Sequence, residues 1–247
     1  MGLDIALDVA VQNLAEGSDG GFDSPQPGVY VSVWHDNHDA SRLVLINLIR
    51  QLDVKGDHVA MVPHRDVLIV TGSEDVDGLA KMAELAEAAT LDTRFMTAIP
   101  VRLQWDQWVP FRLPEGHSLQ PRFEYLRYQS ITRDYDEQKT LLDQIHEHTG
   151  EDVFIASYTA TQNEETGKVS SYCVWSKDVL TLLPEADVVH FFDESKSGDE
   201  RIVAIAPWGR VCEVVGTMMR KQDMCPPRYL VDEFPSREEL AELGRSD

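Results

Sequence analysis

The stretch V-A-M-V-P-H-R-D-V-L-I-V, from Val59 to Val70, sets two apolar runs around a Pro-x-x-Asp-Val break. A second stretch, L-T-L-L-P-E-A-D-V-V-H-F from Leu180 to Phe191, has the same order. Pro63 cannot donate to a strand ladder and belongs at a strand end, and Asp66 can close the turn through neighbouring backbone groups. Each stretch therefore predicts a β-hairpin, and the repetition predicts two similar units.

The elements around the motif recur in the same order. In the first half a helix, a strand, the motif, a helix and a Pro-containing strand follow one another, and the second half repeats this order with an extra hairpin before the motif. This pattern predicts an α+β protein of two tandem, similar units, each a small mixed or antiparallel sheet covered by helices. We place the units at residues 1–122 and 123–247, divided within a connector rich in Pro and aromatic residues, 105–128.

Local signals near the N-terminus predict further elements. Helical spacing places five apolar side chains on one face, Leu3, Leu7, Ala10, Val11 and Leu14. Residues 16–28, which are rich in Gly and Pro, predict a flexible loop. Asp39 is a predicted N-cap of a helix that ends near Leu52.

The charge of the chain is strongly one-sided. The 247 residues include 43 acidic and 22 basic side chains, for a net charge of -21. Nucleic acids and anionic lipids require clusters of Lys and Arg, so the sequence predicts neither a nucleic-acid nor a membrane partner. An acidic surface can instead attract a basic protein partner.

Cysteine usage and the N-terminus bear on the compartment. Cys173, Cys212 and Cys225 are widely spaced and include no C-x-x-C pair, which is typical of a reducing environment. The surroundings of Cys173 and Cys212 are apolar and predict buried thiols. No signal peptide or membrane span is recognised, and we expect a cytoplasmic protein of bacterial type.

Part of the first half resembles a known family. The residues that carry the resemblance are Asp39-Ala40-Ser41-Arg42, the run from Val62 to Ile69, and Pro100 in a strand that ends at Arg102-Leu103. Over residues 34–111 they resemble the C-terminal part of the uncharacterised bacterial YtpQ-like family, a domain of unknown function. The resemblance implies no activity, and no functional residue is carried over from it.

Three polar residues of the two motifs are candidate binding residues. If a pseudo-twofold axis relates the units, Arg65, Asp66 and Asp187 meet near that axis, and Arg65 can pair with Asp187. Trp105 and Trp108 in the connector are further candidates, which either pack the halves together or line a ligand site.

The chemistry of a catalytic site is not recognisable in the sequence. His35 and His38, with acidic neighbours, have side chains that ligate metals, but no third ligand is evident at a suitable spacing. Nucleophile elbows and Gly-rich phosphate-binding loops are absent from the sequence. We therefore expect a non-enzymatic binding module without a cofactor, similar to an immunity or inhibitor protein that acts on a basic partner. The alternatives are a metal-assisted hydrolase and a structural subunit of an assembly, and the sequence predicts no oligomeric state.

Overall fold

The computed structural model describes residues 2–91, 94–163 and 166–244. By its internal contacts the chain divides into two compact units, Met1–Ser130 and Ile131–Asp247, which we call unit 1 and unit 2. The sequence placed this division after residue 122. Each unit combines helices with small sheets, so the predicted α+β class is confirmed.

Unit 1 contains a six-stranded antiparallel sheet. Its strands are β1 (Phe22–Gln26), β2 (Val29–Ser32), β3 (His58–His64), β4 (Val67–Gly72), β5 (Val101–Gln104) and β6 (Gln107–Pro110). They lie in the order β1-β2-β4-β3-β5-β6. The helices are α1 (Leu3–Glu16), α2 (Ile46–Ile49), α3 (Val76–Ala89) and α4 (Gln120–Thr149), and a 3₁₀ turn at Ala40–Val44 precedes α2. The division between the units falls within α4.

Both faces of this sheet are covered. Met61 and Ile69 pack on one side in a core that includes α3 and the first turns of α4. Ala60, Leu68 and Val70 pack on the other side with Ile49 of α2. Because β3 and β4 are buried on both faces, they read in the sequence as nearly unbroken apolar runs rather than as an alternating pattern.

The first Pro-x-x-Asp hairpin is confirmed. β3 and β4 pair in antiparallel fashion, and His64 lies opposite Val67 across a loop of Arg65 and Asp66. The register shifts between Met61 and His64, in the part of β3 that contains Pro63. A proline is tolerated where the ladder is interrupted, since its missing N–H then costs no hydrogen bond.

Unit 2 contains two four-stranded mixed sheets. Its strands are β7 (Phe154–Ile155), β8 (Thr159–Gln162), β9 (Val169–Ser176), β10 (Thr181–Pro184), β11 (Val188–Phe192), β12 (Ile202–Pro207), β13 (Arg220–Lys221) and β14 (Arg228–Val231). One sheet has the order β13-β14-β10-β7 and the other β12-β11-β9-β8. The helices are α5 (Trp208–Val215) and α6 (Arg237–Leu243), and Ser236 and Glu239 form a capping box at the start of α6.

The prediction of a hairpin at the second Pro-x-x-Asp stretch is wrong. β10 pairs with β14 and β7, whereas β11 pairs with β9 and β12, so the turn leads from one sheet to the other. The turn is held by distant groups. The N–H of Glu185 donates to the Tyr135 hydroxyl at 3.0 Å, and Asp187 bonds with Ser171. Unit 1 has one six-stranded sheet, whereas unit 2 has two four-stranded sheets with other strand orders. The structure therefore does not show an internal duplication.

Two predictions for the first half are also corrected. The region read as a flexible loop contains β1, which pairs with β2 across a turn in which Gly28 has a φ of 79°. Asp39 makes no capping hydrogen bond, and its fully buried side chain precedes a 3₁₀ turn and the short α2 instead of one long helix. Single-sequence signals place such boundaries poorly because tertiary packing decides where a helix ends.

Replacing Gly78, in the first turn of α3, with alanine should destabilise the protein, although alanine has the higher helix propensity. A Cβ there would collide with the Thr71 hydroxyl and lie 3.0 Å from Asp75 Cγ, and both side chains are buried. Alanine gains about 1 kcal/mol in a helix, but overpacking a close contact costs about 1–3 kcal/mol. We expect Gly78→Ala to lower the free energy of unfolding, by up to about 2 kcal/mol, in urea denaturation.

Gly209 is the matched control. It also lies in the first turn of a helix, α5, but an added Cβ would meet no atom within 4 Å. Gly209→Ala should therefore leave stability unchanged or raise it by up to about 1 kcal/mol. A stabilising Gly78→Ala would contradict the close approach of α3 to β4.

Candidate functional site

The apolar face of α1 is the most unusual surface of unit 1. No residue of α1, all of which the structure describes, is buried. The exposed fraction is 76% for Leu3, 55% for Leu7 and 42% for Val11. Contiguous exposed apolar surface on a folded protein commonly marks a binding site. The predicted helix is present, and its apolar face is left open to solvent, as are Ile5 and Val9 on the other side of the helix.

A groove runs between α1 and the segment formed by the 3₁₀ turn and α2. It consists of two clefts of about 590 and 490 Å³, and Val11 and Val44 line both. We call this surface the α1 groove. The residues that line it from α1 and the following turn are Leu7, Ala10, Val11, Asn13, Leu14, Ala15, Gly17 and Ser18. The opposite wall consists of Asp36, His38, Ser41, Arg42, Val44, Leu45, Ile46, Asn47, Leu48 and Asp106.

Arg42 holds the two walls of the groove together. Its side chain is 1% exposed, and its Nη1 and Nη2 donate to the two carboxylate oxygens of Asp36 at 2.8 and 2.7 Å. Nε donates to the Ser18 hydroxyl at 2.9 Å, and Nη2 donates to the Gly17 carbonyl at 3.1 Å. The guanidinium also lies 4.2 Å from the centroid of the Trp34 ring. The end of α1 is thus attached through one buried side chain to the loop before the 3₁₀ turn.

This ion pair determines the electrostatics of the groove wall. The hydrogen bonds from Arg42 hold the pKa of the Asp36 carboxyl well below its usual range. Arg42 is therefore neutralised at neutral pH by an ionised carboxylate and offers no free positive charge to a ligand. The bidentate geometry is the one that guanidinium and carboxylate groups prefer.

The N-terminal segment that forms α1 and leads to the groove has only acidic charges among its Asp, Glu, Lys and Arg positions. The first 41 residues contain seven Asp and Glu residues and no Lys or Arg. Three of the acids, Asp4, Asp8 and Glu16, lie on α1 itself. The nearby Arg50 is paired with Asp106 at 2.8 Å. The potential at the groove is consequently negative, which favours a positively charged ligand.

Trp105 and Trp108 have different environments, although both were predicted as candidate binding residues. Trp108 donates its indole N–H to the Leu43 carbonyl at 2.8 Å and packs in the core under the 3₁₀ turn. Trp105 lies in the turn of the β5–β6 hairpin and is 86% exposed. It is the sequence neighbour of Asp106 in the groove wall but does not itself line the groove.

The polar residues of the Pro-x-x-Asp motifs are engaged locally. Asp66 lies 3.8 Å from His64 Nδ1 and 3.8 Å from Arg94 Nη1, and the Arg65 Nε donates to the Asn37 carbonyl at 3.4 Å. In unit 2, Asp187 accepts from the N–H and the hydroxyl of Ser171 at 2.7 and 2.8 Å. The pairing of Arg65 with Asp187 stays a prediction.

The two histidines predicted as possible metal ligands have no further metal-binding side chains grouped with them among the described residues. His35 and His38 are exposed, Asp36 is engaged by Arg42, and Asp39 is fully buried. Within residues 2–91, 94–163 and 166–244, no three His, Cys, Asp or Glu side chains form a group that could hold a metal ion.

The cysteines show no sign of nucleophilic activation. Burial raises the pKa of the Cys173 thiol to about 12, and it also raises the pKa of Cys212. Both thiols are therefore protonated near neutral pH, whereas a nucleophilic cysteine requires the thiolate. Cys173 is buried as predicted, but Cys212 is exposed.

A third cleft, of about 530 Å³ beside α3, contains cations that are already paired. Lys55 lies 3.6 Å from Asp75, Lys81 is 2.7 Å from Glu84, and Arg122 donates to both carboxylate oxygens of Glu87. An anionic ligand would have to displace these carboxylates, so the α1 groove is the better candidate site.

Comparisons with known proteins do not add to this description. No known protein family, curated protein or solved structure matches the chain. The resemblance to the YtpQ-like family stays a prediction. No helix in the described part of the chain has the length and apolarity needed to cross a bilayer.

Proposed function

We propose that the chain is a non-enzymatic binding module that takes up a basic protein partner at the α1 groove, in the manner of an immunity or inhibitor protein. The observation that carries this proposal is an apolar helix face with no buried residue, set in a segment that contains only acidic charges. Covering one Leu or Val side chain fully is worth about 1.5–3 kcal/mol. A few such contacts can provide a specific affinity.

The acidic surface contributes to the rate of association in this proposal. With a net charge of -21, the chain attracts a basic partner over the distance at which salt does not yet screen the field. Electrostatic steering raises association rate constants more than it changes the dissociation rate. The binding of the partner is therefore expected to depend on salt mainly through the association rate.

The proposal is tested with a partner recovered by affinity capture and identified by mass spectrometry. We expect the captured partner to be basic, and its association rate constant to fall at least about tenfold between roughly 50 and 500 mM salt. A triple variant, Asp4→Asn with Asp8→Asn and Glu16→Gln, should keep the fold, associate more slowly than the wild type at low salt and match its rate at high salt. A partner no more basic than the average cellular protein, bound at a rate that ignores salt, would contradict the proposal.

A structural subunit of a larger assembly is the second candidate. The observation that favours it is the exposure of large aromatic side chains, 86% for Trp105 and 42% for Tyr125. Light scattering on complexes isolated from cells distinguishes the two candidates, because an assembly keeps a constant stoichiometry in high salt whereas a steered complex dissociates. The metal-assisted hydrolase is not supported, because the described residues contain no cluster of potential metal ligands.

A further inference from the structure

The walls of the α1 groove restrict the backbone of any segment that lies in it. One wall is α1, and the other is formed by the 3₁₀ turn Ala40–Val44 and α2. Helical walls satisfy their own hydrogen bonds and present no open strand edge, so a segment between them cannot be bound by strand addition. A segment that satisfies its own backbone groups, namely a helix, fits this environment.

The dimensions of α1 agree with a helical occupant. Its 14 residues span about 21 Å, which is close to four helical turns. Leu7, Val11 and Leu14 of α1 recur at helical spacing along the groove. An amphipathic helix that lies along α1 can place its own apolar residues between them at spacings of three, four and seven residues.

The charges decide which helix fits. Asp4 and Asp8 directly follow Leu3 and Leu7 of the apolar face along α1, and Arg42 in the groove lining is neutralised by Asp36. A second copy of this chain would bring another strongly acidic helix against these carboxylates, since the first 41 residues have no Lys or Arg. Lys or Arg beside the apolar stripe of the partner would instead meet the carboxylates on α1.

We infer that the occupant of the α1 groove is a basic amphipathic helix, about four turns long, whose apolar stripe packs on Leu7, Val11 and Val44. The inference rests on the proposed function and specifies the partner segment.

The test uses a synthetic peptide of 18 residues made of Leu and Lys, with the leucines at helical spacing on one face. We expect the wild-type chain to bind this probe in a titration followed by fluorescence anisotropy, and the peptide to gain helical circular dichroism on binding. Two control peptides are included. One has the same composition in scrambled order, and the other has Glu in place of Lys. Both should bind at least about tenfold more weakly.

Two variants of the chain separate apolar packing from charge. Leu7→Asp places a carboxylate in the groove, and Leu141→Asp places one on α4, where the leucine is 60% exposed compared with 55% for Leu7. Both variants add the same negative charge. We expect Leu7→Asp to weaken binding by about 10–100-fold, which is the loss of one well-buried leucine, and Leu141→Asp to bind like the wild type.

The outcomes distinguish the inference from the proposed function. Equal binding by the two variants, or by the ordered and scrambled peptides, overturns the groove as the site and leaves a basic partner in place. Equal binding of the Leu/Glu peptide overturns the preference for a basic partner. A concentration-dependent dimer of the chain alone that the peptide does not dissociate identifies a second copy as the occupant. Photo-crosslinking of the peptide to α1 in the wild-type chain tests the site without any variant.

Discussion

Replacing Arg228 with alanine is expected to lower the free energy of unfolding of unit 2 by about 3–5 kcal/mol. The Arg228 side chain is fully buried and has several hydrogen-bond acceptors. These are Gln138 Oε1 at 2.6 Å and the carbonyls of Ala156, Leu182 and Tyr135 at 2.8, 3.1 and 3.3 Å. They belong to α4, the segment after β7, and β10, so one side chain joins the helix to the sheet.

The size of this effect follows from burial. All four acceptors are neutral, and desolvation lowers the pKa of the Arg228 guanidinium, which nevertheless stays protonated. Alanine would leave the acceptors without a donor and would leave a cavity the size of the lost side chain. Arg228→Lys should recover only part of the stability, because one ammonium group cannot reach acceptors on three segments.

Guanidinium denaturation and amide hydrogen exchange in unit 2 provide the measurement. Arg220→Ala is the matched control. Arg220 is exposed in the same sheet and bonds to the exposed Asp232 at 2.8 Å, so its loss should cost less than about 1 kcal/mol. Equal stability losses in the two variants would contradict the buried network around Arg228.

Arg42→Ala is expected to lower the free energy of unfolding by about 2–4 kcal/mol and to release α1. The expected loss is smaller than for Arg228 because Asp36, the partner that remains, has a side chain that is 41% exposed and can be hydrated. The contacts to Gly17 and Ser18 at the end of α1 disappear with the arginine. Hydrogen exchange should therefore accelerate in α1 more than in β3 or β4.

The control for Arg42→Ala is Arg50→Ala, which removes an exposed ion pair with Asp106 in the same region. Its cost should stay below about 1 kcal/mol. Unchanged exchange in α1 of the Arg42→Ala protein would show that the groove does not depend on this contact.

The pH dependence provides a second measurement for Arg42. The folded-state pKa of Asp36 is depressed, so the stability that it contributes is present above the ordinary aspartate pKa near 4 and is lost as the pH falls below it. The wild-type protein should therefore lose more stability on acidification through this range than Arg42→Ala does. Parallel acid unfolding curves for the two proteins would contradict the ion pair.

Neither buried arginine could be recognised in the sequence. Arg42 is the last residue of the D-A-S-R tetrad, and Arg228 comes directly after two prolines. No local pattern distinguishes these two arginines from an exposed one such as Arg220. Their partners lie far away along the chain, up to 93 residues in the case of Tyr135 and Arg228. Burial of a charge depends on such distant partners, and periodicity within a short window does not report them.

The candidate site shows the same limit. Helical spacing predicted the apolar face of α1, but spacing defines which residues share a face and not whether another element covers it. The connector at residues 105–128 was predicted from its Pro and aromatic residues as the boundary between the units, and it contains β6 and the start of α4. The turn at Trp105 has a φ of 55° without a glycine, so it lacks the usual sequence signal of a tight hairpin.

The sequence by itself determined the α+β class, the hairpin of β3 and β4 and the helix α1, because each depends on neighbouring residues. It also determined the negative charge of the first 41 residues. Only the tertiary structure decided that the second Pro-x-x-Asp stretch leads from one sheet to another and that α1 keeps its apolar face exposed. Those outcomes depend on strand partners and packing surfaces distant along the chain, which compete with local preference and outweigh it.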